Sequence, residues 1–149
     1  MVSKRLKARV QAGGTLVLDA QGLSLYLDGD DGMRARIKSA EQNGRRVTLS
    51  ALTPLEVRRT GQQGKRLTFL LSRLDTRTVD DSVLETAGRL LDATGLDGHE
   101  CLVDAVVVAT AALCTPPVRL VTSDRSHIPK LCAAALDLPG QPSIGVITV

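Results

Sequence analysis

The sequence predicts an α/β protein of three layers, a mostly parallel central sheet with helices on both faces. Short apolar runs alternate with stretches of helical spacing along the whole chain, and that alternation builds a parallel sheet with crossover helices. The longest apolar stretch, residues 100–113, exceeds a strand and needs burial on every side, as a helix laid on a sheet receives. At 149 residues the chain is the size of one domain with one filled core. A basic extension, residues 1–14, precedes that single domain, residues 15–149.

Residues 15–18 form a compact apolar run between Gly13-Gly14 and Asp19, the length of a buried strand. A short helix follows over 21–27, and Asp28-Gly29-Asp30-Asp31-Gly32 is turn chemistry. Residues 33–42 read as a basic helix stopped by Asn43-Gly44, and 46–50 as the second strand. Thr53-Pro54-Leu55-Glu56 opens a helix with proline in its first turn. The next helix, 65–74, begins beyond breaks at Gly61 and Gly64, and 75–79 is a third strand. Val83, Leu84, Ala87, Leu90 and Leu91 give 81–93 a helical stripe. Within 100–113, Val106-Val107-Val108 favours a strand, but the length and Ala105, Ala109, Ala111 and Ala112 favour a buried helix. A strand over 118–121, a helix over 126–136 and a last strand over 145–149 complete the order.

Composition removes several function classes. With one Phe, one Tyr and no Trp, the chain lacks the aromatic platforms on which single-stranded nucleic acid stacks. Cys101, Cys114 and Cys132 form no CxxC pair and are odd in number, so they read as small buried hydrophobes in a reducing compartment, not as zinc ligands or a disulfide framework. No run approaches membrane-spanning length and the basic N-terminus has no continuous apolar core of a signal peptide, which points to the cytoplasm. The net charge of +3 is compatible with a polyanionic partner without requiring one.

Carboxylates carry the functional signal. Asp104 interrupts Leu102-Val103-Asp104-Ala105-Val106, where an unpaired charge is expensive unless it neutralises or gains a partner. Asp19 ends the first strand, Glu56 stands early in a helix, and Asp124 follows Leu120-Val121-Thr122-Ser123. Each of these three has a structural alternative. Asp19 and Asp124 suit helix caps, and Thr53-x-x-Glu56 matches a capping box. Together, four acidic groups at strand ends and helix starts converge only around positive charge. Oxygen-only donors select Mg²⁺ or Mn²⁺ over zinc, and carboxylate-held Mg²⁺ suits phosphodiester hydrolysis. Glu100 lies one turn before Asp104 on the same helix face, as either a site residue or a first-turn acid. His99 and His127 read as surface or capping residues at helix starts.

Asp19 after the first strand, Glu56 early in a helix, Val103-Asp104-Ala105 in an apolar helix and Thr122-Ser123-Asp124 after the fourth strand resemble the acidic quartet of PIN domains, especially the VapC-like toxin ribonucleases. The resemblance covers residues 15–149 in the family's order. It implies a PIN-like fold, a Mg²⁺-dependent endoribonuclease acting on RNA, a homodimer and an antitoxin protein that blocks the site. It makes Asp19, Glu56, Asp104 and Asp124 metal-binding and catalytic residues, with a hydroxyl of Thr122 or Ser123 supporting them. Ala20 and Gln21 depart from the small hydroxyl residue that many members carry after the first aspartate. A haloacid-dehalogenase-type phosphatase needs a second aspartate where Gln21 stands, and a receiver domain needs an acidic pair and a later lysine that are not convincing here. The rival from another class is a catalytically idle PIN-like module that binds RNA or protein.

Overall fold

A computed structural model describes residues 13–149, and of the basic N-terminal extension only Gly13 and Gly14 fall among them. Five strands, β1 (Thr15–Leu18), β2 (Arg46–Ser50), β3 (Asp75–Arg77), β4 (Val118–Thr122) and β5 (Ile144–Thr148), form one sheet in the order β3-β2-β1-β4-β5. Every neighbouring pair is parallel, with Leu18 opposite Val121 and Val17 opposite both Thr48 and Leu120. Seven helices accompany it: α1 (Ala20–Leu27), α2 (Asp31–Gln42), α3 (Thr53–Glu56), α4 (Gly61–Ser72), α5 (Asp81–Thr94), α6 (Gly98–Ala112) and α7 (His127–Ala135).

Strand side chains alternate between faces, which divides the core into layers. Val17 and Leu120 pack with Val83, Ala87 and Leu90 of α5, the apolar run of α6, and Ile128 and Leu131 of α7. Leu16, Leu18, Val47 and Val121 point the other way, against Met33, Ile37 and Ala40 of α2. Leu49 joins Leu23 and Leu27 of α1 and Leu67 and Leu70 of α4 in a third cluster. The predicted three-layer α/β/α arrangement is the one observed, and residues 98–112 are a helix capped by Asp97, whose carboxylate accepts from the Glu100 amide at 3.0 Å. All three cysteines are buried and free. Among the described residues no helix is long and apolar enough to cross a membrane.

Local differences have local causes. The predicted turn at 28–32 is half cap: Asp30 accepts from the Met33 amide at 2.8 Å, and α2 starts at Asp31. Helix α4 starts at Gly61, not at residue 65. Gly64 is a close approach rather than a break, since a Cβ there would stand 2.8 Å from the Arg59 carbonyl oxygen. The capping box of Thr53 and Glu56 does not form. Leu52 occupies the cap position, and Thr53 lies inside the helix, fully buried, its hydroxyl without a partner among the described residues.

Candidate metal centre

The strand order reverses at β1, which has β2 on one side and β4 on the other. Open α/β sheets bind ligands in the crevice beyond the carboxyl ends of such strands. Asp19 follows β1 directly, and Asp124 lies just past β4. The Asp19 amide donates to the Val121 carbonyl at 3.1 Å and ties the two strand ends together. Gly22 lets the first turn of α1 close on them, since a Cβ there would come within 3.3 Å of Val121 Cγ1. Asp19 caps that turn, accepting from the Gly22 amide at 2.9 Å through one oxygen. The cap bond is made through Oδ1 alone.

Asp124 holds the other side of the crevice. Its two oxygens accept from the amides of Ser126 at 3.1 Å and Ile128 at 2.6 Å, and its own amide donates to the buried Thr122 hydroxyl at 3.0 Å. It thereby performs the capping that the Ser126 side chain does not, and fixes His127 as the first residue of α7. One carboxylate oxygen each of Asp104 and Asp124 and one ring nitrogen of His127 lie within 4.8 Å of one another. Nδ1 of His127 is 3.6 Å from Oδ2 of Asp104.

Asp104 reaches this group from α6. A helix that returns to a parallel sheet runs against its strands, so the N-terminal half of α6 lies at their carboxyl ends. Residues Ala105 to Ala111 are buried, whereas Leu102 is exposed and the Asp104 side chain keeps 33% of its surface in solvent. Asp104 is therefore half-buried, standing where the apolar helix leaves the core.

Charge links Asp19 and Glu56 to these residues. Burial, more than any other cause, raises the Asp19 carboxyl. The Thr122 hydroxyl and the Gly22 and Gln21 amides pull against it, and Asp124 adds to the rise. Burial, then Asp104 and Asp19, raise Glu56, an exposed residue of α3. Burial and Asp124 raise Asp104 against the opposing pull of His127, with Asp19 contributing further. Asp124 alone of the four goes down: burial acts to raise it, but the Ile128 and Ser126 amides together with His127 outweigh that and hold it below the ordinary range.

Carboxylates that push one another's pKa upward lack positive charge. Hard oxygen donors with one imidazole among them accept a divalent cation, so the donor set fits a metal ion. Glu100 stays exposed in the first turn of α6 and, like Asp19 and Glu56, lies outside the group of three formed by Asp104, Asp124 and His127, and Ser123 is exposed beside Asp124. Thr122 is the hydroxyl that braces both strand-end aspartates. His127, predicted as a surface or capping residue, is a partly exposed first residue of α7, and the structure also sets it beside Asp104 and Asp124. Its signal was spacing alone: three residues past Asp124, at the entry to a helix that Asp124 caps.

With Glu56 free of any capping box, a sharp test separates charge from fold. Glu56→Gln should leave the melting temperature within about 2 °C of wild type, because exposed substitutions away from special features stay within roughly 0.5 kcal/mol. If the centre hydrolyses phosphodiesters with a bound ion, as the sequence resemblance implies, that activity should fall at least tenfold. A large loss of stability with activity retained would return Glu56 to a structural role.

No protein-family model matches the chain, and no curated protein matches it. Solved structures do. A chain of a toxin-antitoxin complex from Klebsiella pneumoniae superposes with a TM-score of 0.62 at 20% identity, over 89% of this chain and 96% of that one. A chain of VapBC2 from Rickettsia felis, bound to a DNA fragment from its promoter, gives the same TM-score at 14% identity, over 89% and 98%. The fold is thus the PIN-like three-layer arrangement present in those complexes.

Proposed function

We propose that this chain is a divalent-metal-dependent endoribonuclease of the PIN-domain, VapC-like toxin type, with Asp19, Glu56, Asp104 and Asp124 as its metal-binding and catalytic residues. The observation that supports the reading is the close approach of Asp104 and Asp124 beyond the strand ends, with Asp19 and Glu56 near enough that the charges of these four groups act on one another and, with burial, raise three of them. A bound Mg²⁺ or Mn²⁺ would neutralise charge on the scissile phosphate and make water a competent nucleophile near neutral pH.

The chain's own part is placement. Thr122 and the amides of Gly22, Ser126 and Ile128 fix Asp19 and Asp124, and α6 carries Asp104 to the edge of the core. Arg58 and Arg59, just after Glu56, and Arg125, just after Asp124, are exposed cations for the phosphates of a polymer. RNA is the substrate class that the likeness to VapC-like toxins implies. Residues 1–14 add further basic side chains to the single domain. The solved structures that share the fold come from toxin-antitoxin complexes, so the same reading gives this chain a small antitoxin partner that blocks the site, and it makes the protein a cytoplasmic homodimer.

A second reading has its own support. Asp19 and Asp124 both cap helices, so these two carboxylates also suit a catalytically idle PIN-like module that binds RNA or protein. Metal separates the two. An ion at a hundred times its Kd adds about 2.7 kcal/mol to the folded state. At roughly 2–4 °C per kcal/mol for a domain of this size, millimolar Mg²⁺ or Mn²⁺ should raise the melting temperature by several degrees over EDTA. Purified protein should cut RNA with the ion and not with the chelator. Coincident melts with intact RNA would favour the idle module.

A further inference from the structure

An imidazole in the ligand trio changes which ion the centre should prefer. The 3.6 Å between Nδ1 of His127 and Oδ2 of Asp104 is an ion-pair distance, longer than a good hydrogen bond. It suits two ligands of one ion. Atoms bound about 2.1–2.2 Å from a metal lie roughly 3 Å apart at right angles and roughly 4.3 Å apart when opposite. The trio is also held in place, because two backbone amides fix the Asp124 carboxylate and the same turn fixes the start of α7. Side-chain exposures of 39% for His127 and 33% for Asp104 leave an entry path from solvent.

We propose that His127 is a metal ligand and that its nitrogen makes this centre favour Mn²⁺ over Mg²⁺. The inference rests on the metal centre proposed above and names its ion. Mg²⁺ prefers oxygen donors and keeps its waters, whereas imidazole favours transition ions, for which mixed nitrogen and oxygen sites gain affinity from Mn²⁺ upward along the row. Four carboxylates alone express no such preference. His127 adds it without adding negative charge to a group that already repels itself.

The test is metal binding, read apart from catalysis. The full chain is titrated with Mn²⁺ and separately with Mg²⁺ by calorimetry, and the Mn²⁺ form is examined by pulsed EPR for coupling to ¹⁴N. Wild type should bind Mn²⁺ about tenfold or more tightly than Mg²⁺, the scale on which one metal-site partner acts, and show imidazole coupling. His127→Asn puts an amide in place of the ring, and it should lose the coupling and bring the two affinities close together. His127→Ala should lose the coupling too, and a thermal melt of each variant confirms its fold.

Mn²⁺ bound without ¹⁴N coupling, or an unchanged ion preference in His127→Asn, overturns the ligand assignment and leaves the carboxylate centre standing. Wild type that binds neither ion, or Asp104→Asn that binds both as wild type does, overturns the centre and the inference together.

Discussion

Asp104→Asn should abolish metal-dependent RNA cleavage and leave the metal-free protein at least as stable as wild type. Asparagine keeps the volume and the helix, and the side chain sits at the rim of α6 with a third of its surface in solvent, so no cavity opens. What disappears is a charge that burial and Asp124 already disfavour. A carboxyl raised in the folded state binds its proton more tightly there than in the unfolded chain, so its contribution is fully present below the unfolded value of 3.8 and is lost as pH rises through the folded pKa. In EDTA the variant and wild type should therefore melt together at low pH, and the variant should gain above that range. Metal stabilisation of a phosphoryl transition state is worth several kcal/mol and each 1.36 kcal/mol is tenfold, so the rate should fall by roughly 100-fold or more. Cleavage by purified Asp104→Asn at the wild-type rate would remove Asp104 from the catalytic group.

The elements that sequence revealed are those whose signal is local. Thr15–Leu18 is a compact apolar run, Val118–Thr122 opens directly after Pro116-Pro117, and α6 declares itself by length and alanine content. Asp19 and Asp124 could be placed because strands of a parallel sheet deliver their ends to one edge. The misses depend on three-dimensional context. Thr53 and Glu56 have the spacing of a capping box, but Thr53 lies buried inside the helix and Leu52 takes the cap position. The apolar neighbours of Asp104 point to burial, and its partial exposure is set by where α6 reaches the strand ends, which local hydropathy does not encode. His127 comes to lie beside Asp104 and Asp124 through a turn made by two amide bonds to Asp124, and an isolated histidine gives no hint of such a turn.

Expression of this chain alone should arrest the growth of a bacterial host, and the carboxylate variants should not. On the proposed reading, an active centre open to solvent would cut cellular RNA unless something covers it. Asp19→Asn is the informative variant, because asparagine caps a helix about as well as aspartate, so the α1 cap survives while the charge does not. Asp19→Ala would mix loss of charge with a cap loss of about 0.5–2 kcal/mol. A partner that silences the site needs a cation of the right shape, and arginine's guanidinium forks onto carboxylates such as Asp104 and Asp124, which the structure holds together. Co-expression of a small protein encoded beside this chain should restore growth and co-purify with it, and replacing the partner's site-facing arginine with alanine should return the arrest. Competition supplies the decisive control: excess metal ion should weaken the complex if the arginine and the ion occupy the same carboxylates. Harmless expression of soluble protein that still cleaves RNA in vitro would rule out a toxin and leave a nuclease of narrower RNA specificity.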